Sequence, residues 1–262
     1  MIKIIIAVCI LGATGLIGGA LLSVVSAICD KGDKNERLEK IRDALPGANC
    51  GACGFAGCDS YAEAVDKGEA EPNLCAPGGA NSAKALSEIL GVEVDTSPKM
   101  AKVLCAGCTE KVDTKYNYSG MKSCAAAASL GAGPSGCDYG CIGFGDCVNA
   151  CPFNAIVVEN SLASVNADIC TGCGKCAKVC PKQIISIVPK KQSATVKCSN
   201  KQKGAAAKKI CSAACIGCSL CAKACETGAI TVENFLAHID EEKCSACGKC
   251  ADACPQKIIV IK

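Results

Sequence analysis

The feature that most constrains the fold is a run of four cysteines in residues 168–188, which read DICTGCGKCAKVCPKQIISIV. The order C-x2-C-x2-C-x3-C-P is that of two-cluster iron–sulfur proteins, in which three thiolates bind one cluster and the fourth binds the other. Pro181 turns the chain away, so Cys180 does not return to the same cluster. Zinc sites also use C-x2-C pairs, but the full run with its proline favours iron and sulfide.

The composition agrees with a fold organised around inorganic cofactors. The chain has 262 residues with 27 cysteines, no tryptophan, four phenylalanines and four tyrosines. Because large apolar side chains are scarce, we expect clusters to serve as the cores of small modules in a reducing compartment. The formal charge of +3 would become about −7 with five oxidised [4Fe–4S] clusters bound. No basic stripe with interleaved aromatic residues is present, so nucleic-acid binding is not predicted.

The first 29 residues are predicted to form a transmembrane helix. Residues 4–29 contain no charged side chain and are long enough to span a bilayer with some tilt. Basic residues are concentrated after this segment: Lys31, Lys34, Arg37, Lys40 and Arg42. The positive-inside rule then places the cysteine-rich remainder on the cytoplasmic side of the cytoplasmic membrane.

Two other interpretations of this segment are disfavoured. ILGATGLIGG resembles a dinucleotide-binding turn, but it is followed by a charged stretch and cysteine motifs rather than a βαβ unit, so no bound nucleotide is predicted. A cleaved export signal would have a shorter apolar run and would carry cluster ligands into an oxidising space.

Residues 30–99 are predicted to form a single-cluster domain with a linker. The motif LPGANCGACGFAGC is rich in glycine, which suits a loop wrapped closely around a cluster. The predicted ligands of one [4Fe–4S] cluster are Cys50, Cys53, Cys58 and Cys75. Zinc is again the alternative.

The remainder of the chain contains an internal repeat. A shift of 74 positions aligns residues 150–181 with 224–255 without a gap. Each copy has two cysteine runs joined by a β segment, AIVVEN or AITVEN, and closes with a further β segment. Duplicated units of this kind predict two tandem ferredoxin-like α+β modules, residues 100–189 and 190–262, with two clusters each.

The repeat also predicts the ligand sets of these modules. For the second module they are Cys215, Cys218 and Cys221 with Cys254, and Cys244, Cys247 and Cys250 with Cys225. For the first module they are Cys137, Cys141 and Cys147 with Cys180, and Cys170, Cys173 and Cys176 with Cys151. The first module departs from the pattern at Phe144, which falls where Cys218 would be, and this is why Cys137 is included.

Five clusters are therefore expected, and some cysteines are left over. Outside the apolar segment these are Cys105, Cys108, Cys124, Cys198 and Cys211. A sixth cluster could use Cys105, Cys108 and Cys124 with Cys198 or Cys211, and the alternative is free thiols or a degenerate site.

The order of these parts resembles the B subunit of the Rnf complex, the ion-translocating ferredoxin:NAD+ oxidoreductase of bacterial membranes. The resemblance spans essentially the whole chain and rests on the apolar segment followed by LPGANCGACGFAGC, then GCDYGCIGFGDCVNACPFNAI and CTGCGKCAKVCPKQII. The second ferredoxin module is typical of an extended form of the family.

This resemblance implies an electron-transfer subunit with no catalytic site of its own. It implies exchange of electrons with ferredoxin and assembly with membrane and cytoplasmic subunits that hold flavins and the NAD site. Neither the coupling ion, Na+ or H+, nor the direction of electron flow follows from the sequence. The alternatives are a polyferredoxin subunit of another membrane oxidoreductase, such as a hydrogenase or a quinone-linked complex, and a zinc-scaffolded interaction protein.

Overall fold

A computed structural model describes residues 36–191 and 193–261. The predicted transmembrane helix, residues 1–29, lies outside the described residues and stays a prediction. Among the residues that are described, no helix has the length and apolar character needed to cross a bilayer. The chain divides into two compact units, Met1–Thr96 and Ser97–Lys262, and each is described separately below.

The described part of the first unit, from residue 36 onward, contains three helices around a small apolar core. They are α1, which includes residues 36–43, α2 (Cys58–Asp66) and α3 (Gly79–Leu90). Ile41 and Leu86 are completely buried, and Tyr61 and Cys75 belong to the same core. Arg37 Nε contacts Asp66 Oδ1 at 2.6 Å, which links α1 to the end of α2.

The second unit contains both ferredoxin-like modules, each with two antiparallel strand pairs. In the first module the helices are α4 (Cys124–Ala128), α5 (Asp146–Asn149) and α6 (Lys175–Val179), and the strands are β1 (Lys99–Val103), β2 (Ile156–Glu159), β3 (Leu162–Val165) and β4 (Ile185–Pro189). β1 pairs with β4 and β2 pairs with β3. The small α+β class predicted from the sequence is confirmed for these modules.

The second module repeats this topology. Its helices are α7 (Gly204–Ile210), α8 (Leu220–Lys223) and α9 (Lys249–Ala253), and its strands are β5 (Ala194–Val196), β6 (Ile230–Glu233), β7 (Leu236–Ile239) and β8 (Ile259–Ile261). β5 pairs with β8 and β6 pairs with β7. The opening strands β1 and β5 had no counterpart in the sequence analysis, because each is short and gains its hydrogen bonds from a strand far along the chain.

The cores of both modules consist of small aliphatic side chains and inward-facing cysteines. The first core joins Ala101, Val103, Ile156 and Ile184 to Cys147 and Cys176. At Gly172 the backbone comes very close to that of Lys99. Gly172 has a φ of +71°, and a Cβ at this position would lie 2.7 Å from the backbone carbonyl carbon of Lys99, so only glycine fits.

A buried lysine joins the two modules. Lys102 on β1 is 6 % exposed, and its Nζ donates to Ser193 Oγ at 2.7 Å and to Glu241 Oε1 at 3.2 Å. We expect Lys102→Ala to lower the free energy of unfolding of the cluster-loaded protein by about 3 kcal/mol, because Glu241 would be left without its counter-charge. This value is at the low end of the range for removing one partner of a buried ion pair, because the Glu241 side chain retains some solvent exposure.

The measurement for Lys102 is the urea concentration at which visible absorbance is lost, compared between wild type and variant. The double variant Lys102→Met with Glu241→Gln is the control, because it removes both charges and should recover most of the loss. A single variant as resistant to urea as wild type would show that this pair does not join the modules.

Candidate iron–sulfur sites

The cysteines of the first unit surround the start of α2. Cys58 is the first residue of that helix, and its backbone N–H donates to Asn49 Oδ1 at 2.8 Å. Burial is the main cause that raises the pKa of the Cys75 thiol. Three neighbouring thiols raise it further: Cys58, Cys53 and Cys50. The structure therefore brings together the four cysteines predicted for this unit.

Tyr61 holds the segment that returns Cys75 to this site. Its hydroxyl donates to the Glu71 carbonyl at 2.7 Å and accepts from the Leu74 N–H at 3.1 Å. Burial of the ring raises the pKa of Tyr61 to about 12, so the phenol stays protonated and keeps both bonds.

Cysteines of the regular runs in the second unit also lie close to one another. Burial raises the pKa of Cys176 to about 11, and three nearby thiols add to the shift: Cys173, Cys170 and Cys151. Burial likewise raises the pKa of Cys221 to about 11, with further contributions from Cys215, Cys218 and Cys254. Cys250 follows the same pattern, with its pKa raised by burial and by Cys244 and Cys225.

Backbone amides point at several of these sulfur atoms. Ala101 donates to Cys170 Sγ at 3.3 Å, and Ala194 donates to Cys244 Sγ at 3.4 Å. These donors lie at equivalent places on β1 and β5. Hydrogen bonds to sulfur stabilise a thiolate and tune the reduction potential of a cluster bound to it. The opening strand of each module is thus part of its site.

The sequence analysis grouped Cys137 with Cys141, Cys147 and Cys180. In the structure, Cys124 lies with these three cysteines instead. A cavity with about 350 Å³ of space between protein atoms is lined by Cys124, Cys141, Cys147 and Cys180. Burial and then the Cys124 thiol raise the pKa of Cys147 to about 11. Cys137 does not line this cavity; it lines another cavity with Cys105, Cys198 and Cys211.

The position of Cys124 follows from the hydrogen bonds at the start of α4. The Ala125 N–H and the Ser123 hydroxyl both donate to Asp146 Oδ2 at 3.0 Å. Asp146 precedes Cys147 at the start of α5, so the two helix starts are held side by side. Burial alone would raise the pKa of Asp146, but these hydrogen bonds outweigh it and hold the pKa below its usual range.

Cys124 lies in an insertion that the second module lacks. Phe144, at the place of Cys218 in the repeat, contacts Tyr118 with ring centroids 5.4 Å apart, and both pack against the small core that contains Cys124. The segment from Cys105 to Cys137 is longer than its counterpart from Cys198 to Cys211, and the extra residues include α4. The equivalence of Cys137 with Cys211 in the repeat was the sequence signal that Cys137 has another role.

The donor sets fit clusters in kind, and the two cavities that hold them are similar in size. Each set consists of four thiols, which is the usual ligand complement of a [4Fe–4S] cluster. The cavity lined by Cys215, Cys218, Cys221 and Cys254 has about 360 Å³ of space, close to that around Cys124. Across the described ranges 36–191 and 193–261, no three His, Cys, Asp or Glu side chains converge closely enough to hold a single metal ion.

Family models match both units. A model described as "Putative Fe-S cluster" matches residues 45–77. Models described as "4Fe-4S dicluster domain" match residues 138–187, 169–230 and 214–258. Two of these matches begin just after Cys137 and Cys211, respectively. Iron–sulfur modules are therefore present in the second unit.

Curated relatives match nearly the whole chain. The B subunit of the Na(+)-translocating ferredoxin:NAD(+) oxidoreductase complex of Acetobacterium woodii is 45 % identical over 98 % of this chain and 77 % of its own length. The B subunit of the ion-translocating oxidoreductase complex of Methanosarcina acetivorans is 40 % identical over 97 % of each chain. The B subunit of the proton-translocating ferredoxin:NAD(+) oxidoreductase complex of Clostridium ljungdahlii is 41 % identical over 92 % of this chain and 86 % of its own.

Proposed function

Since this chain belongs to the family of B subunits of ion-translocating ferredoxin:NAD+ oxidoreductase complexes, we propose that it carries single electrons between ferredoxin and the other subunits of such a complex. The observation that carries this proposal is the grouping of four thiols in the second unit, at Cys124, Cys141, Cys147 and Cys180, at Cys215, Cys218, Cys221 and Cys254, and at Cys151, Cys170, Cys173 and Cys176. A [4Fe–4S] cluster, when bound, accepts and releases one electron at a time.

The ligand sets that we propose for five clusters differ from the sequence prediction at one residue. They are Cys50, Cys53, Cys58 and Cys75; Cys124, Cys141, Cys147 and Cys180; Cys151, Cys170, Cys173 and Cys176; Cys215, Cys218, Cys221 and Cys254; and Cys225, Cys244, Cys247 and Cys250. Cys124 takes the place of Cys137 because it lines the cavity with Cys141, Cys147 and Cys180.

The protein's own groups give these sites their electrical environment. Backbone N–H groups directed at Cys170, Cys244 and Cys151 stabilise negative charge on sulfur. Small apolar side chains limit water around the thiols, as Val103 and Ile184 do beside Cys147. Both factors set reduction potentials, and they differ from site to site along the chain.

We propose further that residues 1–29 anchor the protein in the cytoplasmic membrane with its cysteine-rich part on the cytoplasmic side. The support is the uncharged stretch 4–29 and the basic residues that follow it. No nucleotide is assigned to this chain, so hydride transfer to NAD+ would take place on another subunit. The named relatives include both sodium- and proton-translocating complexes, so we assign no coupling ion.

The proposed function is tested with the full-length chain purified without oxygen. Iron and acid-labile sulfide are measured, the protein is reduced with dithionite, and oxidised ferredoxin is added. We expect both iron and sulfide, and we expect the reduced-cluster electron paramagnetic resonance (EPR) signals to diminish as ferredoxin becomes reduced. Zinc without sulfide, or signals that ferredoxin leaves unchanged, would contradict the proposal.

A further inference from the structure

Four cysteines outside the five proposed cluster sets line one cavity between the ferredoxin-like modules. They are Cys105, Cys137, Cys198 and Cys211. The cavity has about 340 Å³ of space between protein atoms, compared with about 350 and 360 Å³ at the two cluster sites described above as cavities. This cavity therefore resembles those two both in size and in its four thiols.

The two modules contribute to this cavity symmetrically. Cys105 lies two residues after the end of β1, and Cys198 lies two residues after the end of β5. Cys137 and Cys211 each lie four residues before the first ligand of their module's leading cysteine run, Cys141 or Cys215. Each module thus supplies a pair of thiols from equivalent positions, and the two pairs together form a four-thiol set.

Hydrogen bonds to sulfur follow the pattern of the other sites. The Gly107 N–H donates to Cys105 Sγ at 3.4 Å, and the Asn200 N–H donates to Cys198 Sγ at 3.4 Å. Each donor lies two residues after its cysteine, as Ala246 does after Cys244 at 3.5 Å. These bonds favour thiolates, which are the form that binds metal.

The buried side-chain amide of Asn200 is a further hydrogen-bond donor to this thiol set. Asn200 is 1 % exposed, and its Nδ2 lies 3.5 Å from Cys137 Sγ. Its Oδ1 accepts from the Gln202 N–H at 2.7 Å, which orients the side chain. Burying an amide is costly unless its polar atoms have partners, so this placement favours a charged sulfur at Cys137.

Two of the four thiols lie on either side of Gly107. A Cβ added at Gly107 would lie 3.4 Å from Cys211 Sγ and 3.7 Å from Cys105 Sγ. Three of the four cysteines are buried, at 9 % exposure or less: Cys105, Cys137 and Cys211. No disulfide joins any of the described cysteines. One thiol from each module therefore lies beside Gly107, and both are unoxidised.

Contacts between the modules hold the ligand-bearing segments together. Lys197 Nζ donates to the Val103 carbonyl at 2.9 Å, and Ser199 Oγ donates to the Leu104 carbonyl at 2.8 Å. These bonds join the residues on either side of Cys198 to those just before Cys105. The arrangement is therefore fixed by the protein itself.

We propose that Cys105, Cys137, Cys198 and Cys211 bind a sixth [4Fe–4S] cluster at the interface of the two modules. This inference rests on the proposed function for the identity of the cofactor, and it adds a redox centre between the modules. Of the two sequence alternatives, it favours a sixth cluster, but with a different ligand set. Cys124 belongs to another cavity, and Cys108 does not line this one.

The test is the iron and sulfide content of full-length protein purified without oxygen. We expect about 24 irons per chain in wild type and about 20 in Cys198→Ala. Cys108→Ala is the matched control, because Cys108 lies close to the same segment without lining the cavity, and it should retain about 24. Cys105→Ala should lose the same EPR component as Cys198→Ala while the other signals remain.

The outcomes separate this inference from the proposed function. About 20 irons in wild type, or one zinc in addition to them, would overturn the sixth cluster and leave the electron-transfer role intact. Full iron content in Cys198→Ala, or a loss of four irons in Cys108→Ala, would overturn the ligand set. Negligible iron and sulfide in wild type would overturn both. The wild-type count decides the number of clusters even if a variant fails to fold.

Discussion

Cys173→Ala is expected to remove about four irons per chain and to lower ferredoxin-dependent NAD+ reduction by the complex at least about tenfold. The reason is that Cys173 belongs to a four-thiol set with Cys170, Cys176 and Cys151, and three thiols hold a [4Fe–4S] cluster poorly. Loss of a redox centre interrupts single-electron transfer, and the hydride chemistry on other subunits cannot bypass it.

Two measurements check this prediction. EPR of the dithionite-reduced variant should lack one component, and assembly of the chain into its complex should be retained. Cys108→Ala again serves as the control, since it removes a thiol that we assign to no cluster. An unchanged spectrum in Cys173→Ala would show that this ligand set is incorrect.

Cys124→Ala is expected to have a comparable effect through a different cluster. It should lose about four irons and the same EPR component that Cys180→Ala loses, because both thiols line one cavity. Cys137→Ala should instead lose the component that is missing in Cys198→Ala, because those two thiols line the other cavity. Comparison of the four difference spectra therefore sorts the ligands into two pairs.

If Cys137, rather than Cys124, paired with Cys180, the ligand set predicted from the sequence would be correct. If Cys137→Ala and Cys180→Ala lost the same component while Cys124→Ala kept wild-type iron, Cys137 would be the ligand. As a positioning control, Asp146→Ala removes the acceptor that holds Ser123 and Ala125. We expect it to weaken the same EPR component as Cys124→Ala while leaving the others unchanged.

The family and the main cofactor class were predictable from the sequence. The C-x2-C-x2-C-x3-C-P run places its ligands within a few residues of one another, so their spacing reports the cofactor directly. The resemblance to the Rnf B subunit is confirmed by relatives that cover nearly the whole chain. The transmembrane helix over residues 1–29 stays a prediction.

Other features were not predictable because they depend on distant segments. The strands β1 and β5 pair with β4 and β8, which lie far along the chain, and the link from Lys102 to Glu241 spans two modules. Short-range patterns contain no signal for such pairs. The repeat did mark Cys137 and Cys211 as equivalent, but it did not indicate what they contact.

By itself the sequence determined that thiolates, rather than large apolar side chains, organise this protein, and it determined which cysteines form each local run. The tertiary structure alone decided that Cys124 joins Cys141, Cys147 and Cys180, while Cys137 faces Cys105, Cys198 and Cys211. The physical reason is that a cluster needs four thiols around one point in space. When those thiols come from separate segments and both modules, only packing and hydrogen bonding bring them to that point.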